Sequence, residues 1–185
     1  MAFPVFLDTC AIFGAYLTDT ILSLAEQGGF SPYWSQRVLE SVVRNVVTQR
    51  GLPEEMIRAR VEMMARAFPD AMVEGFEPLI PVMTNHRGDR HVLAACVVSP
   101  AHTLVTFNVK DFPPGSVHPY DIDVIHPDEF LLNQLALEPQ RTMAGVAEML
   151  RRNDRPPQDL AALAHLLGRS GVPRFAAAVL AQRMP

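Results

Sequence analysis

Four acidic positions carry most of the chemical information in this chain. Asp8 closes the apolar run Phe3-Pro-Val-Phe-Leu7 and precedes Thr9-Cys10 and a helix-like segment. A carboxylate there stands at the C-terminal end of a first strand, the edge of an open α/β sheet at which ligands bind. Glu40 lies on a helix, Asp89 opens another, and the stretch Thr106-Phe-Asn-Val-Lys-Asp111 follows a second apolar run. All three can bring polar groups to the edge that Asp8 occupies. Carboxylates gathered without a motif for an organic cofactor point to a divalent metal.

Each position also has a purely structural use. Asp8 can cap the helix that follows it, although Thr9 can do the same and leave Asp8 free. Glu40 falls roughly 110° from the centre of the stripe Val38, Leu39, Val42, Val43, Val46 and Val47. It can form an exposed ion pair with Arg44, one turn away, worth a few tenths of a kcal/mol. Asp89 can cap its own helix and gain from the helix dipole. Asn108 and Asp111 are ordinary turn residues. His86 and His91 flank Asp89, where a substrate contact and a surface or capping role are both open. The chain has no HExxH, GxSxG, P-loop or GxGxxG motif.

The elements that must position these residues alternate between strand and helix. Val5–Leu7 does not alternate in polarity and reads as a strand buried on both faces. A helix from Ala11 to Glu26 ends at Gly28-Gly29. Pro32 and Trp34 fall in a connector. Ser35 caps a helix over roughly Gln36–Gln49, and Gly51 closes it. Pro53 starts a third helix, to about Ala67. A short strand at Ala71–Val73, a helix over Asp89–Val98, and strands at Thr103–Phe107 and Asp123–Ile125 follow. Pro127 starts a helix to Leu137. After Glu138-Pro139 come helical pieces over Gln140–Arg152, Gln158–Gly168 and Val172–Gln182, separated at Pro156-Pro157 and Ser170-Gly171. The expected fold is α/β, a mainly parallel sheet in residues 1–137 with helices on both faces, and a helical extension in residues 138–185.

Composition narrows the class. Hydrophobic residues make up 49% and charged residues 19% of the 185, enough apolar content for a core. No apolar run is long enough to span a membrane, and no basic segment leads into a signal-like stretch. The expectation is a cytoplasmic protein. Cys10 and Cys96 lack zinc spacing and read as free thiols. Residues 1–137 hold nine Lys or Arg against sixteen Asp or Glu, and residues 138–185 hold seven Arg against four acids. A polyanion is repelled by the first part unless cations offset it, and attracted by the second.

Taken in order, Phe6-Leu-Asp8-Thr, Trp34-Ser-x-x-Val-Leu-Glu40, Asp89-Arg-His-Val-Leu-Ala-Ala95 and Leu104-Val-Thr-Phe-Asn108-Val-Lys-Asp111-Phe resemble the PIN domain, the nuclease fold of VapC-type toxins. The resemblance covers about residues 3–130 and implies a three-layer α/β/α core. It implies metal ligation by Asp8, Glu40 and Asp89, with Asn108 and Asp111 in support. Many relatives have Asp where this chain has Asn108, which supplies no charge. The tail resembles the helical extension of some VapC-like toxins.

The activity so implied is Mg²⁺- or Mn²⁺-dependent cleavage of structured RNA, such as tRNA or rRNA, leaving a 5′ phosphate. Thr9 and Thr106 would orient a ligand or water, and Arg87 and Arg90 would contact phosphates. A cognate antitoxin, placing an Arg against the carboxylates, and a homodimer are further implications. The rival reading is a catalytically impaired PIN-fold RNA-binding or scaffold protein. A phosphatase-like hydrolase would need a second Asp where Cys10 stands, and a receiver-like domain would need an acid adjacent to Asp8.

Overall fold

Val5, Phe6 and Leu7 offer water no polar side chain, and all three are fully buried in strand β1 (Phe3–Leu7). Burying side chains of this size contributes about 1.5–3 kcal/mol each. The computed structural model describes residues 2–152, 157 and 159–182. Pro156 and Gln158, expected at a helix break and a helix start, lie outside the described residues. β1 sits at the centre of a five-stranded sheet with β2 (Phe30–Ser35), β3 (Met72–Val73), β4 (Thr103–Val105) and β5 (Asp123–Ile125), ordered β3-β2-β1-β4-β5. β1 pairs parallel with β4, β4 with β5, and β2 with β3. The chain is thus α/β with a parallel central sheet, as the alternation of elements implies.

β2 corrects the sequence reading, which made Pro32 and Trp34 part of a connector. Proline lacks the N–H that a ladder uses and argues against an inner strand. Here Phe30, Pro32 and Trp34 nonetheless alternate inward, all buried. Trp34 is fully buried and meets the edge of Phe68, with ring centroids 6.0 Å apart. Burial of these large rings outweighs one missing donor.

Helices connect the strands. The first does not begin at Ala11. A 3₁₀ turn over Thr9–Ile12 comes first, and α1 (Ala15–Glu26) starts only after Gly14. α2 (Gln36–Arg50) follows β2 without a loop. The Val38 N–H donates to Ser35 Oγ at 3.3 Å, and Gly51 closes the helix in the left-handed region at φ 64°. α3 (Glu54–Ala67), α4 (Arg90–Val98) and the single turn α5 (Pro114–Val117) complete the segment before β5. α6 (Pro127–Leu137), α7 (Pro139–Arg152), α8 (Leu160–Arg169) and α9 (Pro173–Ala181) follow it.

By Cα proximity the residues form two units. One holds residues 4–13 and 32–125, the other residues 1–3, 14–31 and 126–185. The second unit is helical: α1 packs on α7 and α8, α6 packs on α7 and α9, and α8 packs on α9. Gly145 permits the first of these contacts, because a Cβ there would lie 3.1 Å from both Ser23 O and Leu24 Cδ1. Arg152 bridges to Glu26 at 2.6 Å, tying the end of α7 to the end of α1. The buried Asp128 of α6 accepts the N–H groups of Arg174 and Phe175 at 3.2 and 2.8 Å. It thereby satisfies two of the donors that the first turn of α9 leaves open. α6 and α7 are therefore neighbours within one unit, on either side of residue 138.

Candidate functional site

The end of β1 becomes a site because it lies beside the end of β4. The Asp8 N–H donates to Val105 O at 3.1 Å, so the pairing of the two strands runs on into Asp8. Its side chain is 3% exposed and fully engaged. Oδ1 accepts the Thr9 N–H at 2.6 Å, and Oδ2 accepts the Thr106 hydroxyl at 2.7 Å and the Cys10 thiol at 3.0 Å. Asp8 itself thus caps the 3₁₀ turn that follows; Thr9 does not relieve it of that task. Thr106 is completely buried, and its Oγ1 also accepts the N–H of Asn108 at 3.0 Å. One hydroxyl therefore orients both the carboxylate and the start of the next loop.

Two further acids are brought up by short 3₁₀ turns, one over Arg87–Asp89 and one over Val109–Asp111. The His86 N–H donates to Asp111 O at 3.0 Å, lacing the two loops together. Asp89 precedes α4 yet makes no side-chain capping bond. Its Oδ2 lies 3.4 Å from His86 Nδ1 instead. Ligand atoms of His86, Asp89 and Asp111 all lie within 4.8 Å of one another, a spacing that one cation can bridge.

The electrostatics of this corner favour a positive charge. Burial, chiefly, pushes the carboxyl of Asp8 above its ordinary value, and Asp111 adds to the rise. Burial likewise raises Asp89, with the negative charges of Asp8 and Asp111 contributing. Carboxylates that resist ionisation for want of a counter-charge are ready to take a cation. Burial and the charge of Asp8 push the Cys10 thiol up to about 12, so it stays protonated as a donor. Both cysteines are free.

A cleft of about 370 Å³ opens on this corner, bordered by Asp8, Thr9, Cys10, Asp89 and Asn108. Its other wall is α2, through Ser41, Arg44, Asn45 and Gln49. Glu40 is not there. It is exposed, accepts a hydrogen bond from Gln36 at 3.3 Å, and borders a separate hollow with Arg37, Glu74 and Glu77. The expectation that Glu40 joins the acid cluster is therefore corrected by helical phase. A step of 100° per residue carries Ser41 and Asn45 to the flank opposite Glu40. Nor does the exposed pair with Arg44 form, since Arg44 Nη2 donates to Ser41 Oγ at 3.2 Å.

Arg87 is exposed and Arg90 half-buried, and neither borders the cleft; Arg90 Nε donates to Asn85 O at 3.4 Å. His91 does border it, 8% exposed, with Nδ1 buried and unpartnered. Burial first, then Arg37 and Arg44, lowers its pKa from 6.5 to about 4, so the ring is neutral near pH 7. Sequence reasoning passed over Ser41, Asn45 and Gln49, and gave Arg44 only a pairing with Glu40. The spacing of Ser41, Arg44, Asn45 and Gln49 at i, i+3, i+4 and i+8 was the available signal of one shared face.

Part of the chain matches a curated protein closely. Over 107 residues, 58% of this chain and 63% of the other, it is 44% identical to "Putative ribonuclease VapC50" of Mycobacterium tuberculosis (strain ATCC 25618 / H37Rv). Over that region the chain is thus similar to a protein described as a VapC ribonuclease. The matched region spans less than two thirds of that relative's length. Residues 127–181, covering α6 to α9, match the family model described as the VapC50 C-terminal domain. No solved structure matches the chain. Among the described residues, no helix is long and apolar enough to cross a membrane.

Proposed function

We propose that this VapC relative is a metal-dependent endoribonuclease, the toxin of a toxin–antitoxin pair acting in the cytoplasm on structured RNA. The observation that carries the reading is the convergence of Asp8, Asp89 and Asp111 at the ends of β1 and β4, where burial and mutual repulsion raise Asp8 and Asp89 and His86 stands in ion-pair reach of Asp89. Hard carboxylate oxygens with one imidazole suit Mg²⁺ or Mn²⁺. Asp89, Asp111 and His86 would hold the ion, with the Asp8 carboxylate adding negative charge nearby. A bound divalent ion supplies a Lewis acid for the scissile phosphate and lowers the pKa of an attacking water.

The chain's own groups do the rest. Thr106 and Cys10 fix the rotamer of Asp8 by donating to Oδ2. Thr9 and Asn108 border the cleft where a phosphate oxygen or water would lie. Arg87 and Arg90, outside the cleft, are placed for more distant phosphates. A cationic side chain of an antitoxin would satisfy the same acids that a metal does, which gives inhibition a direct route. In this reading residues 1–137 carry the chemistry, and residues 138–185 form an extension of which no described residue borders the cleft. A homodimer accords with the family resemblance.

A second reading, RNA binding without cleavage, draws on Asn108 and Ser41, neutral side chains that border the cleft with Asp8 and Asp89. One experiment separates the two. Antitoxin-free protein is incubated with total RNA in Mg²⁺, Mn²⁺ or EDTA, beside Asp89→Asn. The nuclease reading expects discrete, metal-dependent cuts, slowed roughly 10²–10³-fold in the variant, as when one preorganised electrostatic group is lost. Intact RNA in every lane, with binding retained, would leave the second reading.

A further inference from the structure

The acids occupy one end of the cleft, and the rest of it runs along α2. From Ser41 to Gln49 is a rise of about 12 Å at 1.5 Å per residue. Arg44 faces the cleft beside Ser41, and Asn45 is half-exposed one residue on. Gln49 lies one turn beyond Asn45. Neither the Asn45 nor the Gln49 amide is engaged by another side chain or the backbone among the described residues. Phe13, half-buried, borders the same stretch, and the Arg50 guanidinium stands 5.6 Å from its ring centroid.

This wall differs in chemistry from the acid corner. It offers a cation, two amides that can both donate and accept, and an aromatic ring beside a second cation. A cationic peptide would be drawn to the acids but repelled by Arg44 and Arg50. A nucleotide matches each group in turn. A backbone phosphate takes the guanidinium, a base edge takes donor–acceptor amides, and a base face takes the ring. Because unpaired bases alone present both edge and face, the ligand is a single-stranded segment.

We propose that the α2 wall is a nucleotide subsite adjoining the scissile position. Arg44 holds a neighbouring phosphate, Asn45 and Gln49 read the base edge, and Phe13 with Arg50 supports the base. The proposal rests on the nuclease reading above and adds to it the source of sequence preference.

The test uses the full chain in two measurements. The first maps cut ends in total RNA by sequencing. The second measures anisotropy of a fluorescent single-stranded RNA of mixed sequence in EDTA, at several salt concentrations. Three variants are compared with wild type: Asn45→Ala/Gln49→Ala, Arg44→Gln and Phe13→Leu. The double variant is expected to lose the base preference at one position next to the cut. Arg44→Gln should flatten the log–log salt dependence of binding by about one unit. Phe13→Leu should weaken binding about tenfold. If Phe13→Leu fails to fold, the other two variants, which change exposed or half-exposed side chains, still decide the matter.

Wild-type cleavage with cut sites, salt slope and affinity unchanged in the variants overturns the subsite and leaves the nuclease reading standing. Wild-type binding without cleavage, still weakened by the variants, supports the subsite and removes the nuclease reading. A wild type that neither binds nor cuts removes both.

Discussion

Two aspartates in this molecule are almost equally buried and do opposite things. Asp128 in the helical unit and Asp8 at the end of β1 are 5% and 3% exposed. Asp128 meets two backbone N–H groups at the start of α9, where the helix dipole also favours negative charge. Its charge is answered by the protein. Asp8 accepts three hydrogen bonds, yet burial and the neighbouring Asp111 still raise its pKa. Its charge calls for something the polypeptide does not supply. The comparison teaches that burial alone does not mark a functional carboxylate. What marks it is a deficit of positive partners after all hydrogen bonds have been made.

The largest effect should come from breaking the satisfied member. Asp128→Ala strands the buried N–H of Phe175 and the part-buried N–H of Arg174 and should cost about 1–3 kcal/mol of unfolding free energy in a denaturant titration. Cleavage per folded molecule should stay near wild type. A stability unchanged within error would mean that α9 finds other partners for its first turn, and the contrast with Asp8 would fail.

A smaller effect concerns His91, on the cleft wall. Its pKa is depressed from 6.5 to about 4, so the folded state binds fewer protons than the unfolded state between those values. The stability that neutral His91 contributes is therefore full above about pH 6.5 and is lost as pH falls toward 4. The difference in unfolding free energy between wild type and His91→Gln should be flat above pH 7 and shrink steadily below 6.5. A difference independent of pH would show that the ring is solvated and titrates normally.

The smallest effect sharpens the placement of the cluster. Glu40→Gln should change the cleavage rate by less than about twofold and stability by less than about 0.5 kcal/mol, as for exposed sites without a special partner. A loss comparable with that of Asp89→Asn would return Glu40 to the metal set.

How far these features were legible in the sequence depends on what positions them. Asp8, Asp89 and Asp111 follow strands or precede helices whose apolar runs are unambiguous, and their convergence follows from the parallel order of β1 and β4. Thr106 could be named for the same reason. β2 was hidden because Pro32 weighs against a strand locally, whereas burial of Phe30 and Trp34 decides it globally. Glu40 entered the metal set through the family resemblance, whereas its place on a helix with two polar flanks allowed the exposed position that it takes. Sequence periodicity places a residue on a flank but does not say which flank faces the cleft. Read locally, beside Pro127, Asp128 is a loop or cap residue. Its partners lie 46 and 47 residues away, beyond the reach of any local pattern.

The hydrogen bond between Thr106 and Asp8 joins residues 98 apart. No acid cluster exists until both ends of that span have been made, and Asp111 lies later still. At a synthesis rate of about 5–20 residues per second, roughly 5–20 s pass between the emergence of Asp8 and that of Asp111. Closing so long a loop also carries an entropic penalty that only completed strand pairing repays. A nascent chain still on the ribosome, surrounded by the RNA it is proposed to cut, is inert for all of that interval. Harmlessness during manufacture is thus written into the order in which the site's parts are translated.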